Sequence, residues 1–178
     1  NLIKKYNFLL EEEIVNKKKY SKKILLISRS SHPIYMSEKE RISKIGIVVK
    51  ECSKLEKSLL IIKCHPRENM TFNDLTFYKN KYPQVEIIIT KSHVLSVSPY
   101  VDLVISFWSS AVLNASFFEK PIIEFFKPKK IPGDTRYVRK KLTTIYDHLG
   151  IVYSTNRVNE FSNLFTDAIN KKNKYNWK

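Results

Sequence analysis

The stretch from Val101 to Phe126 reads VDLVISFWSSAVLNASFFEKPIIEFF. Two apolar runs, Leu103 to Phe107 and Ile122 to Phe126, flank a Ser109-Ser110 break and a helical segment from Ser109 to Phe118. Continuous rather than alternating apolarity marks strands buried on both faces, as in a parallel sheet covered by helices. The stretch therefore predicts strand, helix, strand.

The same rhythm extends outward in both directions from Lys23 onward. Further strands are predicted at Ile24 to Ser28, Leu59 to Cys64, Val85 to Thr90 and Ile151 to Ser154. Helices are predicted at Ser37 to Leu55, Phe72 to Tyr82, Thr135 to Leu149 and Asn159 to Asn170. In the first of these, Ile42, Ile45, Val49 and Cys52 recur at helical spacing and lay one face on the sheet. Such alternation implies right-handed crossovers and an α/β fold with a doubly wound, mostly parallel sheet of about six strands. In the common strand order 3-2-1-4-5-6, the first and fourth strands are neighbours at the topological switch point, where ligands bind beyond the carboxyl ends. The loops to inspect are then Arg29 to Met36, Ser106 to Ser110 and, one strand away, Cys64 to Asn69.

Residues 1–22 read as a connecting helix or linker, 23–170 as the doubly wound domain and 171–178 as a basic tail. Lys127 to Lys141, broken by Pro128, Pro132 and Gly133, reads as a basic exposed loop leading into a helix. A start at Asn1 rather than Met gives the expectation of a longer parent protein.

With 178 residues, 43% hydrophobic and 12% aromatic, the chain has enough apolar material for one core and lacks the biases of disordered or collagen-like chains. The net charge of +15 favours polyanions: nucleic acid, anionic lipid or phosphorylated small molecules. The abundance of Lys, Asn and Ile throughout leaves a distributed compositional bias as a second source of that charge. Cys52 and Cys64 supply no disulfide framework and predict two free thiols in a reducing compartment. No apolar stretch approaches membrane-span length, and the first residues lack a signal peptide's pattern. The expected location is cytoplasmic.

Three segments carry candidate chemistry. Lys63-Cys64-His65-Pro66-Arg67-Glu68 stands at the end of the second strand, where Pro66 restrains the His65 backbone. A His65 donating to phosphate, with Lys63 and Arg67 supplying charge, suits a nucleotide site; a loop histidine bonding a nearby carbonyl is the bland alternative. Ser109 and Ser110 open the helix after the fourth strand, where they either cap it or help bind an anion. Arg29, Ser30 and Ser31 lie across the same crevice and are candidates for a phosphate clamp. His93 and His148 lack metal-ligand partners at usable spacing, so no metal site is predicted. There is no GxGxxG, Walker A or GxSxG pattern, which argues against a standard dinucleotide enzyme, a P-loop NTPase and an α/β-hydrolase.

The IKCHPREN segment and the VDLVISFWSSAVLNASFFEKPIIEFF segment together resemble the C-terminal nucleotide-binding domain of GT-B-fold glycosyltransferases. The likeness is to bacterial capsule and surface-polysaccharide transferases, including CMP-sugar (Kdo and sialic acid) transferases and CDP-glycerol polyol-phosphate transferases. Those families carry a Lys-x-His-Pro segment and a strand, Asp-x-x-Ser-Ser, helix, Lys-Pro, strand segment. The resemblance spans Lys23 to Phe126 and rests on two short motifs. It implies a Rossmann-like half of a GT-B fold, with His65 as the donor-phosphate ligand and catalytic group, Ser109 and Ser110 as the phosphate-binding pair, and Lys120-Pro121 as a structural turn. The chain departs at Asn114, where many relatives have a carboxylate that holds the ribose.

The resemblance further implies a CMP- or UDP-linked sugar donor as substrate, no separate cofactor, a glycan or lipid-linked acceptor, and an N-terminal acceptor domain outside this chain. The basic segments then suit peripheral attachment to the inner face of an anionic membrane. Two enzyme alternatives are a polyol-phosphate transferase and a UDP-sugar 2-epimerase-like domain, although epimerases typically show an acidic, Gly-rich segment where this chain has SFWSSAVLN. A non-enzymatic nucleic-acid-binding module is a further alternative: Tyr6, Tyr20, Tyr78, Tyr82 and Tyr175 lie among lysines. Without a recognised nucleic-acid motif, that reading is disfavoured.

Overall fold

Runs of Ile, Leu and Val build six parallel strands in the computed structural model, which describes residues 12–15, 19–68, 73–126, 137–138, 141–142 and 144–170. The chain runs α1 (Glu12–Val15), β1 (Lys22–Ile27), α2 (Glu38–Cys52), β2 (Ser58–Lys63), a 3-10 turn, α3 (Thr76–Lys81) and β3 (Val85–Thr90). It continues through α4 (Val94–Val97), a second 3-10 turn, β4 (Leu103–Ser106), α5 (Val112–Ser116) and β5 (Ile122–Glu124). The last elements are β6 (Tyr137–Val138), β7 (Lys141–Leu142), α6 (Ile145–His148), β8 (Tyr153–Ser154) and α7 (Val158–Ile169).

The sheet order is β3-β2-β1-β4-β5-β8, the common doubly wound order. Strands β1 and β4 are neighbours in parallel register from Ile24 opposite Leu103 to Ile27 opposite Ser106. Side chains alternate between two cores. Ile24, Leu26, Leu60, Ile62 and Ile105 pack beneath α2 and α7, whereas Leu25, Ile27, Ile61, Val104 and Ile122 pack against the opposite layer, which includes Ile14 of α1.

Local chemistry sets the helix ends. Ser37 accepts from the Glu40 N–H at 3.2 Å and starts α2. Within α2, Gly46 faces the Tyr78 ring so closely that a Cβ would lie 2.7 Å from its atoms, which accounts for a glycine inside a helix. The buried Lys44 ammonium donates to the Phe125 carbonyl at 2.7 Å and to Asn156 Oδ1 at 2.6 Å, so α2 is stapled to the carboxyl end of β5.

One predicted element differs. The expected helix from Thr135 to Leu149 is instead the antiparallel pair β6 and β7, with Tyr137 opposite Leu142, followed by the one-turn helix α6. Thr144 caps α6 by accepting from the Asp147 N–H at 3.1 Å, so the helix starts well after the expected position. Most of the basic loop and the 171–178 tail lie outside the described residues.

Candidate functional site at the switch point

The loops that follow β1, β2 and β4 meet at the carboxyl edge of the sheet. After β1, His32 and Met36 exchange backbone hydrogen bonds at 2.8 and 3.1 Å, closing a tight turn that carries Tyr35. The Arg29 guanidinium lies 5.3 Å from the Tyr35 ring centre and 4.8 Å from that of Trp108. Tyr35 and Trp108 meet edge to face at 5.0 Å. Arg29 and the loop after β4 thus face each other across the crevice between β1 and β4. Trp108 and Tyr35 are additions from the structure: both sit in unpatterned loops, so no periodicity marked them.

The loop after β4 turns on Trp108, whose φ of 65° is left-handed backbone that a non-glycine residue adopts at a cost. The Ser109 N–H donates to Ser106 Oγ at 3.1 Å, and Ser109 Oγ accepts from the Ala111 N–H at 3.3 Å. The expected capping of a helix from Ser109 is therefore corrected: α5 starts at Val112, its N-cap is Ala111, and the serines form a side-chain-closed turn before it. Ser110 is exposed and Ser109 half-buried. Asn114 is half-buried on α5.

The loop after β2 is organised by Glu68, which the motif reading quoted without assigning it a role. Its buried carboxylate accepts from Ser28 Oγ at 2.9 Å, Arg41 Nη1 at 2.9 Å and the His65 N–H at 2.5 Å. The Arg67 N–H donates to His65 Nδ1 at 3.2 Å. An accepting Nδ1 leaves Nε2 as the ring's N–H donor. The ring thus bonds the neighbouring backbone, as in the bland alternative, but through an N–H rather than a carbonyl. Lys63 Nζ folds onto the Cys64 carbonyl at 3.2 Å.

Ser30, Ser31 and Arg67 come together in a cleft of about 250 Å³, with Glu38, Arg41 and Asp74 also on its walls. Lys63, His65, Ser109 and Ser110 lie outside that lining. The candidates therefore form two groups along one edge: the β1 and β2 loops share the cleft, and Arg29 with the β4 loop forms the aromatic-backed crevice. Arg41 escaped the sequence reading because it stands beside the apolar stripe of α2 rather than in a motif.

Beneath the β4 loop, Glu124 pairs in register with Ser106 and is fully buried. Burial pushes its carboxyl up to about 7; the Thr144 hydroxyl opposes the shift and Asp147 adds to it. Cys52 and Cys64 are both free, as expected, and burial pushes the Cys64 thiol up to about 11.

No known protein family matches the chain by sequence, and no curated protein does. Solved structures do match. A Listeria monocytogenes protein assigned as a UDP-N-acetylglucosamine 2-epimerase superposes with a TM-score of 0.62 at 9% identity, over 94% of this chain and 41% of its own. The Neisseria meningitidis UDP-GlcNAc 2-epimerase bound to UDP-GlcNAc gives 0.58 at 15% identity, over 98% of this chain and 40% of its own. The wall teichoic acid polymerase TagF gives 0.52 at 14% identity, over 97% and 41%. The likeness is one of fold. The Rossmann-like architecture is that of the resemblance drawn from the two motifs, and the chain spans about two fifths of the length of these proteins. No helix among the described residues is long and apolar enough to cross a membrane.

Proposed function

We propose that this chain is the donor-binding half of a glycosyltransferase that uses a CMP- or UDP-linked sugar to build a capsule or other surface polysaccharide. The observation that carries the reading is His65, held on the loop after β2 with its Nδ1 engaged by Arg67 and its Nε2–H as the donor. In glycosyl transfer the bond from the anomeric carbon to the donor phosphate oxygen breaks, and its electron pair passes to that oxygen. His65 Nε2–H and the Ser109 and Ser110 hydroxyls would donate to this developing charge, with Arg29 and Arg67 supplying positive potential and Ser30 and Ser31 further donors. The acceptor hydroxyl, from a glycan or lipid-linked chain, would lose its proton to a base on the acceptor domain. Basic segments of the chain would hold the enzyme at an anionic membrane; sedimentation with vesicles, independent of anionic-lipid content, would remove that attachment.

A second reading, nucleotide-sugar 2-epimerisation, is favoured by the epimerases among the structural neighbours, one of them bound to UDP-GlcNAc. The likeness to TagF supports polyol-phosphate transfer in the same way. Product analysis separates them: an epimerase returns an intact nucleotide sugar inverted at C2, whereas a transferase releases the nucleotide.

The deciding experiment is thermal stabilisation of the chain by CMP, CDP, UDP and GDP, beside His65→Ala. A ligand at a hundred times its dissociation constant adds about 2.7 kcal/mol. Selective stabilisation that His65→Ala loses supports the reading and identifies the nucleotide. Absence of stabilisation by all four, or full retention in the variant, overturns the assignment. Steeply salt-dependent oligonucleotide binding without nucleotide stabilisation would favour the nucleic-acid module instead.

A further inference from the structure

We propose that the cleft between the loops after β1 and β2 is a subsite for an uncharged, hydroxyl-rich group, a sugar ring or a short polyol, whose hydroxyls are accepted by Glu38 and Asp74. The ligand chemistry follows from the cleft itself; only the source of the group, donor or acceptor, rests on the nucleotide-sugar reading.

Size and charge decide the ligand class. At about 250 Å³ the cleft is smaller than the roughly 300 to 1,000 Å³ of pockets that enclose drug-sized ligands, so it takes one ring or a short chain rather than a whole nucleotide. Its walls carry three carboxylates, Glu38, Glu68 and Asp74, against two guanidiniums, Arg41 and Arg67. Arg41 is committed to two of them: it donates through Nε to Glu38 at 2.9 Å, pairs with the same carboxylate through Nη2, and donates through Nη1 to Glu68 at 2.9 Å. The surplus is one negative charge, which opposes a phosphate, while the exposed Arg67 opposes a bare cation. A wall of both signs is satisfied by a group that both donates and accepts, as every hydroxyl of a sugar does.

Glu38 and Asp74 are the carboxylates of the cleft that reach solvent. The Glu38 side chain is 56% exposed although Arg41 grips it, and Asp74 stands exposed in the 3-10 turn before α3. Glu38 is lowered mainly by the Arg41 hydrogen bond, with Ser31 adding to it, and Asp74 lies near enough to oppose that shift. The two carboxylates therefore share one wall. A carboxylate offers about four acceptor positions, so one already bound by arginine still accepts a hydroxyl. Ser30, Ser31 and Arg67 supply donors to the sugar oxygens. Glu68, at 4% exposure, is spent on the Ser28 hydroxyl, Arg41 and the His65 N–H, so it ties three elements behind the cleft. The wall is thus set before a ligand arrives, which limits the ordering cost of binding.

The test is proton–nitrogen NMR of the backbone amides in the nitrogen-labelled chain, titrated with glucose, N-acetylglucosamine and glycerol, and separately with inorganic phosphate and magnesium chloride at matched ionic strength. The neutral compounds should give saturable shifts at Ser30, Ser31, Arg67 and Asp74, with dissociation constants on the order of 10 mM for so small a group. Asp74→Asn should weaken that binding about threefold to tenfold, the loss expected for one hydrogen bond, and Glu38→Gln should do the same. The sign separates the ligand classes, because removing a carboxylate from an anion site strengthens it. Neutral compounds that leave these amides unmoved overturn the proposal. So do phosphate or magnesium binding there in preference to them, and folded variants that keep or raise sugar affinity. UDP-N-acetylglucosamine and UDP then identify the source: displacement of the free sugar by the first but not the second assigns the cleft to the donor, and its persistence beside both assigns it to the acceptor. If sugars occupy the cleft but the chain binds no nucleotide, the subsite stands and the donor-site reading fails. If a nucleotide stabilises the chain while sugars leave the cleft unmoved, the reverse holds.

Discussion

The Trp108 indole lies flat on the Phe126 ring, with centroids 5.0 Å apart and planes 2° from parallel. This stack bridges the loop after β4 to the segment after β5. It holds Trp108 in left-handed backbone, with the Arg29 guanidinium on the indole. Aromatic packing here offsets a conformational cost of about 1 to 2 kcal/mol.

Both Trp108→Ala and Trp108→Gly delete the stack, but only glycine relieves the backbone. Trp108→Gly should therefore be the more stable of the two by about 1 kcal/mol, reversing the usual order of alanine and glycine. Urea unfolding of the pair measures the difference; an alanine variant as stable as the glycine variant would contradict the strain.

Glu119 has a φ of 51° in the turn that follows α5. Glycine adopts that conformation without steric cost, so Glu119→Gly should raise stability by about 0.5 to 1 kcal/mol, visible as an increase in Tm.

Glu124 gives stability a pH dependence of defined sign. Its carboxyl is raised from 4.5 to about 7 in the folded chain, so the folded state holds the proton more tightly than the unfolded one. Its contribution is complete below about pH 4.5 and is lost as pH rises towards 7, by about 3 kcal/mol in total. Glu38, lowered mainly by its hydrogen bond from Arg41, acts at lower pH with the opposite slope. Glu124→Gln should flatten the profile between pH 4.5 and 7; an unchanged slope in urea midpoints across that window would refute the assignment.

The thiols should be quiet in the folded protein. Cys52 is fully buried and its thiol is held far above the usual range, while half-buried Cys64 is pushed up to about 11. At pH 7.5 iodoacetamide should modify neither at an appreciable rate, and both after unfolding in urea. Rapid native labelling of Cys64 would show an exposure that the burial does not support.

The sequence by itself determined the layers of this protein. An uninterrupted apolar run can be satisfied only by burial on both faces, and β-branched residues prefer strands, so the parallel sheet and its two cores were legible from Ile24 to Phe126. The switch point followed once the common strand order was taken, an order the tertiary structure settled, and α2 and α7 followed from helical spacing. Short elements were not legible. The one-turn helix α4 and the β6–β7 pair carry too few residues for a period to show, and Thr144 diverted the expected helix start through a local cap. The tertiary structure alone decided the site's wiring. Arg41 and Glu68 stand 27 residues apart, as do Ser28 and Glu68 by 40, and their bonds exist because the crossovers bring the ends of β1, β2 and α2 to one edge. Nothing in local pattern encodes such meetings, because a hydrogen bond between distant side chains leaves no periodicity in the chain.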